Sequence, residues 1–308
     1  MEMISAETVE TQNEIKPLSF GKKLGAFMEL TKPRIALMLV LTSAAGFYLG
    51  SRVQFNGQFN WLLFLHSMIG ITLLAFGVAA LNQYWERDLD KLMERTAKRP
   101  LPTGNLNASE ALLFALALTL AAEVYLALMV NLLTAGLGLV VIVGYVLMYT
   151  PMKTRTPIST AVGAIPGAMP PLMGWTSSAN NISTEALVLF WLLFIWQFPH
   201  FLAIATMYKE QYRAAGIRML PVVEKEGKNT AFQIVFFAAV LLPVSLIPYF
   251  LGTSGVFYFA GAILLGGWFL WSAIKAARAK TPEASRKLLM ASVMYLPLIF
   301  FLMVVNSR

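Results

Sequence analysis

Between Trp61 and Gly104 the chain reads WLLFLHSMIGITLLAFGVAALNQYWERDLDKLMERTAKRPLPTG. The first part, Trp61 to Ala80, holds no acid, lysine or arginine, whereas Leu81 to Gly104 holds four of the chain's 16 acidic residues and five of its 24 basic ones. About 20 apolar residues are enough to cross a hydrocarbon core about 30 Å thick. Continued as a helix, the run ends in Asn82, Glu86 and Asp90, four residues apart each time. At about 100° and about 1.5 Å per residue these three fall within an arc of about 80° and climb about 12 Å, forming one polar stripe. Asp88 points to the other side.

Outward from this stretch, composition sets the class. The 308 residues are 57% hydrophobic and 13% charged, with a mean hydropathy of +0.65, which describes a polytopic, all-α membrane protein. Spans are predicted near 32–51, 61–84, 111–130, 132–151, 158–177, 186–207, 231–251, 255–274 and 288–306, nine transmembrane helices around a central apolar chamber. Lysine and arginine check the count, since cytoplasmic loops collect them and sides must alternate. Segment 1–34 holds five, the 85–110 loop five, the 152–157 link two, the 208–230 loop five and the 275–287 loop five, so 22 of the 24 share one side. Only Arg52 and Arg308 fall elsewhere. The N-terminus is therefore expected in the cytoplasm.

The formal charge of +8 is explained by this topology, and no nucleic-acid patch is read into it. Residues 1–20 are polar, with Glu2, Glu7, Glu10 and Glu14, and are expected to be a disordered cytoplasmic tail preceding one nine-helix domain, 21–308. They resemble neither a secretory signal nor a transit peptide, which favours a bacterial cytoplasmic (inner) membrane. The absence of cysteine removes disulfides, thiolate metal sites and cysteine nucleophiles. The loops after spans two and six end alike, Arg99-Pro100-Leu101-Pro102 and Arg218-Met219-Leu220-Pro221, a hint of a duplicated four-helix unit. In the fifth span, Gly163, Gly167, Pro166, Pro170 and Pro171 suit either close helix packing or a kinked wall beside a bulky ligand.

The stripe admits two readings. Carboxylates at a helix end entering water need no function, because little of the cost of burying them remains there. Yet three oxygen-bearing side chains along one helix face can also hold magnesium whose other positions are waters and phosphate oxygens. The cations just behind, Arg95, Lys98 and Arg99, exceed what Glu86 and Asp90 need as counterions, and arginine forks match phosphate oxygens. Lys153 and Arg155 follow Tyr149 in a short link, and the 208–218 loop adds Lys209, Glu210, Tyr212 and Arg213. Three loops on one face above an apolar interior suggest an isoprenyl diphosphate.

With LTKPRI at 30–35, NQYWERDLD at 82–90, RTAKRPLPTG at 95–104, YTPMKTRTP at 149–157, GAIPGAMPPLMGW at 163–175, WQFPHF at 196–201 and AGIRMLPVV at 215–223, the chain resembles the UbiA-type intramembrane prenyltransferases, and among them the branch that farnesylates haem. The resemblance spans roughly residues 20 to 305. It implies farnesyl diphosphate as donor, haem B as acceptor substrate, a divalent metal (Mg2+) and membrane lipid as surroundings, with a membrane enzyme that modifies haem O as a downstream partner. Residue by residue it places the metal on Asn82, Glu86 and Asp90, with Glu210 a further candidate, and diphosphate contacts on Arg95, Lys98, Arg99, Lys153, Arg155, Lys209 and Arg213. Where the superfamily has a second pair of aspartates, this chain keeps only Glu210, so that loop either binds metal or holds the diphosphate through Lys209 and Arg213. His200, Tyr149 and Trp196 are the residues assigned to the haem side; for His200 a packing role and an axial-ligand role both stand. His66 reads as a packed or interfacial histidine. Glu123, the lone acid inside span three, is expected near the outer interface with a helix partner. A quinone precursor or a chlorin is the alternative acceptor, and a non-enzymatic carrier the alternative outside catalysis.

Overall fold

A computed structural model describes residues 19–54 and 59–308; of the tail expected over residues 1–20, residues 1–18 lie outside them and Phe20 already opens a helix. A short amphipathic helix, α1 (Phe20–Leu30), precedes α2 (Pro33–Gln54) and α3 (Trp61–Asp90). Next come α4 (Ala108–Met129) and α5 (Leu132–Ile142), the latter running through a π-helical segment (Val143–Tyr149) into the single turn α6 (Thr150–Met152). After α7 (Ser159–Gly167) and α8 (Met169–Ala179) the long α9 (Thr184–Met207) leads to the short α10 (Lys209–Ala214) and α11 (Leu220–Val223). The chain closes with α12 (Lys228–Phe250), α13 (Val256–Ala279) and α14 (Pro282–Val305).

Eight of these crossings are unbroken and are long and apolar enough to span a bilayer. The fifth predicted span differs, because it is two helices meeting at Ala168, where proline has removed amide donors on both sides. Side chains of neighbouring helices bond at the break: Ser43 Oγ donates to Pro170 O at 2.9 Å and Gln197 Nε2 donates to Ala164 O at 3.1 Å. The small residues serve close packing here: a Cβ on Gly167 would stand 2.1 Å from Gln197 Oε1. A Cβ on Gly174 would stand 1.9 Å from Ser43 O, so α2 and α8 meet backbone to backbone. Outward-facing positions such as Leu113, Leu132, Phe257 and Leu264 stay more than two-thirds exposed, the arrangement expected of lipid-facing helices.

The helices pack as two groups. α9, α12, α13 and α14 form a closed four-helix ring, each touching the next, and α2, α3, α4, α5 and α8 form the other group. They join where α2 meets α14 and where α7 and α8 meet α9. Sequence reading missed α1 altogether. Its exposed Phe20, Leu24 and Met28 recur every four residues, the pattern of a helix lying at a membrane surface, while Lys23 pairs with Glu110 of α4 at 2.6 Å.

Candidate active site

The C-terminal end of α3 is not solvated. Asn82 and Asp90 are 1% exposed and Glu86 is 7% exposed, which overturns the reading of a helix end passing into water. Neighbouring elements cover the stripe because each supplies a cation or a hydroxyl to it. Lys32, in the turn between α1 and α2, donates from Nζ to Asn82 Oδ1 at 2.9 Å. Asn82 Nδ2 in turn donates to Thr150 Oγ1 at 3.3 Å. Lys153 Nζ meets Glu86 Oε1 at 2.5 Å and lies 4.4 Å from the centre of the Tyr149 ring. Arg99 Nη1 meets Asp90 Oδ2 at 2.7 Å. Asp90 Oδ1 remains buried without a partner, and Glu86 Oε2 makes no hydrogen bond among the described residues.

Local structure explains the convergence. The π-helical segment admits the wider i to i−5 bond of Thr150 N to Tyr145 O, a feature that often marks functional sites, and sets Tyr149, Thr150 and Lys153 toward α3. Tyr149 can lie there because Gly163 of α7 has no side chain; a Cβ at that position would come within 2.6 Å of the ring. Lys32 is held in the left-handed region, φ +49°, a strained setting for a lysine. The turn around it is anchored by Gln83 Nε2, which donates to Glu29 O and Leu30 O.

Three lysines and arginines thus face two acids. Burial, and next the Arg99 guanidinium, lower the Lys32 pKa to about 7. For Lys153 burial also works against the charge, but Glu86, helped by Tyr149 and Tyr145, raises the pKa above the ordinary lysine value. The basin is therefore short of anion, which suits a ligand that brings phosphate oxygens.

Of the residues singled out in the sequence, Asn82, Glu86, Asp90, Arg99, Tyr149 and Lys153 come together. Lys32 and Thr150 belong with them and are not singled out by the sequence, in which Lys32 reads only as one of the topology-setting cations. Arg95 acts at one remove, its guanidinium 5.0 Å from the Tyr208 ring centre and its amide donating to Gln211 Oε1 at 3.3 Å, so it fastens the 91–107 loop to α10. Lys98 and Arg155 are exposed. Glu210 is exposed and paired with Arg213, on the side of α10 away from the stripe, and Lys209 donates to Glu224 O at 3.3 Å. The structure does not bring Lys209, Glu210 or Arg213 to the basin, because Tyr208, Gln211 and Tyr212 occupy the face of α10 turned to it.

His200 and Trp196 form a separate cluster on α9, stacked at 4.6 Å between ring centres. His200 Nδ1 is 2.8 Å from Ser292 Oγ of α14, and Trp196 Nε1 donates to Ser292 O at 3.0 Å. Nε2 of His200 makes no hydrogen bond among the described residues. His66 pairs with Tyr125 at 2.8 Å as a packed histidine. Glu123 lacks the helix partner expected for it, with Oε1 buried and unbonded against the backbone at Gly138.

The chain belongs to the UbiA prenyltransferase family, whose family model matches residues 39–302, and is accordingly a multi-pass membrane enzyme that transfers prenyl groups. Among curated proteins it is 49% identical over 285 residues to a protoheme IX farnesyltransferase of Solibacter usitatus, covering 91% of this chain and 98% of that one. A protoheme IX farnesyltransferase of Koribacter versatilis is 42% identical, with 91% and 92% covered. Among solved structures, a digeranylgeranylglyceryl phosphate synthase superposes with a TM-score of 0.77 at 17% identity, over 92% of this chain and 98% of that one. A UbiA homologue of Archaeoglobus fulgidus, solved with GPP and Mg2+, gives 0.66 at 17% identity over 90% and 99%. At such identities these two structures share the fold.

Proposed function

We propose that this protein transfers a farnesyl group from farnesyl diphosphate to a vinyl group of haem B, giving haem O and diphosphate. The observation that carries the reading is the buried stripe of α3, whose acids are matched by more cations than they neutralise, in a chain 49% identical over nearly its full length to a protein named for that activity. Asp90 Oδ1, buried without a donor, and the unbonded oxygen of Glu86 fit a divalent metal, and Asn82 completes the set. Magnesium bound there would supply positive charge where the leaving diphosphate gains negative charge.

Lys32, Arg99 and Lys153 hold the diphosphate oxygens and stabilise the charge that develops as the bond from oxygen to the first farnesyl carbon breaks. The electron pair of that bond leaves with diphosphate. The terminal vinyl carbon of haem supplies the pair for the new carbon–carbon bond, which leaves a cation beside the pyrrole. Water adds there and loses a proton, so the product gains one hydroxyl. Tyr149, packed on Lys153, and the apolar residues beneath keep other water from the farnesyl carbon. His200 and Trp196 would lie on the haem side, and His200 Nε2, with no hydrogen bond among the described residues, would be the ring nitrogen to meet the iron. The product would pass to a membrane enzyme that acts on haem O. The distribution of lysine and arginine supports a cytoplasmic N-terminus, and bacterial relatives support a bacterial inner membrane.

The test is purified protein offered farnesyl diphosphate and magnesium with haem B, a quinone precursor or a chlorin in parallel. Haem O, identified by mass, is expected from the first alone. Prenylation of either other acceptor with haem untouched would replace this reading.

A further inference from the structure

On the far side of α10 from the basin, at the inner end of the α9, α12, α13 and α14 ring, lies a cavity of about 470 Å3, within the range of small-molecule sites. Its lining is mixed: Met207, Ile234, Ala276 and Pro282 are apolar, while three lysines, Lys209, Lys225 and Lys280, and two acids, Glu210 and Glu226, also stand on it. The acids near these lysines have other partners. Glu210 pairs with Arg213 and Glu226 with Lys228, and the Glu224 carboxylate accepts from the first amides of α12, Asn229 N and Thr230 N. Lys209 and Lys280 donate only to backbone carbonyls, of Glu224 and Glu226 respectively. Among the described residues no carboxylate lies in ion-pair contact with any of the three. A partly apolar pocket with three lysines outside any ion pair fits a flat apolar molecule that carries carboxylates at one edge.

Its position agrees. Tyr208 and Gln211 line this cavity and also hold Arg95, which stacks on the first and donates from its amide to the second, so the loop that follows the stripe is fastened beside it. Met207 on α9 and Ser285 on α14 line the cavity, and seven residues deeper on each helix, about 10 Å along the axis, come His200 and Ser292, which bond each other. His200 is seven residues from the end of α9 and Asn82 eight from the end of α3, so the two stand at similar depth. Taking the acceptor to be haem, as proposed above, we infer that its propionates are held in this cavity by Lys209, Lys225 and Lys280. The ring would then reach inward along α9 and α14, which turns the edge opposite the propionates toward the farnesyl carbon.

The test compares haem B with its dimethyl ester, whose propionates carry no charge, on wild type and on the double variant Lys225→Gln, Lys280→Gln. Glutamine keeps an uncharged hydrogen-bond donor at each position, and neither lysine belongs to the diphosphate basin. Wild type is expected to prefer haem to the ester by at least tenfold in kcat/KM. The double variant is expected to raise the KM for haem about tenfold, bring haem and ester to parity, and leave the KM for farnesyl diphosphate within twofold. Equal use of haem and ester by wild type, or an unchanged haem KM in the variant, overturns this inference while the farnesyltransferase reading stands, as does equal weakening of both acceptors. If wild type farnesylates neither acceptor, the reading of the acceptor fails and this inference fails with it.

Discussion

Asp90 and Arg99 form a buried pair, so removing one charge leaves the other without its partner. Loss of one member of such a pair costs about 3–5 kcal/mol, and the 21% exposure of the Arg99 side chain places this case at the lower end. Asp90→Asn is expected to lower the thermal midpoint and reduce turnover at least tenfold, about 1.4 kcal/mol of barrier. Adding Arg99→Gln should recover the midpoint and leave turnover low, because the pair is replaceable in packing but its charges act on the leaving group. A double variant with more than a tenth of wild-type turnover would remove Asp90 from the chemistry. Lys32 shows the opposite balance. Its pKa, about 7 in the fold against 10.5 for the free side chain, means the folded state resists protonation. Its cost to stability is absent above about pH 10.5, grows as pH falls toward 7 and is constant below. Lys32→Met should therefore raise the thermal midpoint more at pH 7 than at pH 10 while weakening farnesyl diphosphate binding; a lower midpoint at pH 7 would refute the cost. The acids were legible because a four-residue repeat marks one helix face. Lys32 was not, since nothing in a lysine's local sequence tells whether a distant amide will meet it.

At the scale of elements, apolar length marked every crossing, but not how the fifth one is made. Prolines announced a break; the side chains that bind beside it, Ser43 from α2 and Gln197 from α9, come from far along the chain and could not be read locally. Likewise WQFPHF divides by function on its helix: Gln197 braces the broken helix, and Trp196 and His200 turn to α14. The π-helical segment left no mark in hydropathy. Its consequence is testable through Gly163, whose bare Cα lets Tyr149 lie beside Lys153. Gly163→Val is expected to cut turnover at least tenfold in protein that remains monodisperse, whereas Gly136→Val, with nothing within 4 Å of its Cβ, should leave turnover near wild type. Equal turnover in the two variants would show that the ring's position does not matter.

For the whole molecule, the spread of charge fixed the sidedness of the predicted topology without any view of tertiary contacts. It could not reveal that the cations of one face divide into a basin and a separate cavity, because α10 lies between them and its facing is set by packing. Chelating divalent metal should abolish turnover and added magnesium restore it, with the fold unchanged by circular dichroism. Full turnover in metal-free buffer would leave Lys32, Arg99 and Lys153 to carry the leaving group alone. A last consequence concerns α1. Lys32 follows a helix whose exposed Phe20, Leu24 and Met28 form an apolar stripe suited to a bilayer surface, while Asn82 rides on a helix long and apolar enough to cross it. The lipid headgroup plane thus acts as a gauge for one half of the contact, and the hydrocarbon thickness for the other. Reconstituted in vesicles of graded acyl length, the enzyme should have an optimum thickness, and Lys32→Met should flatten it; the same optimum in both proteins would rule the gauge out.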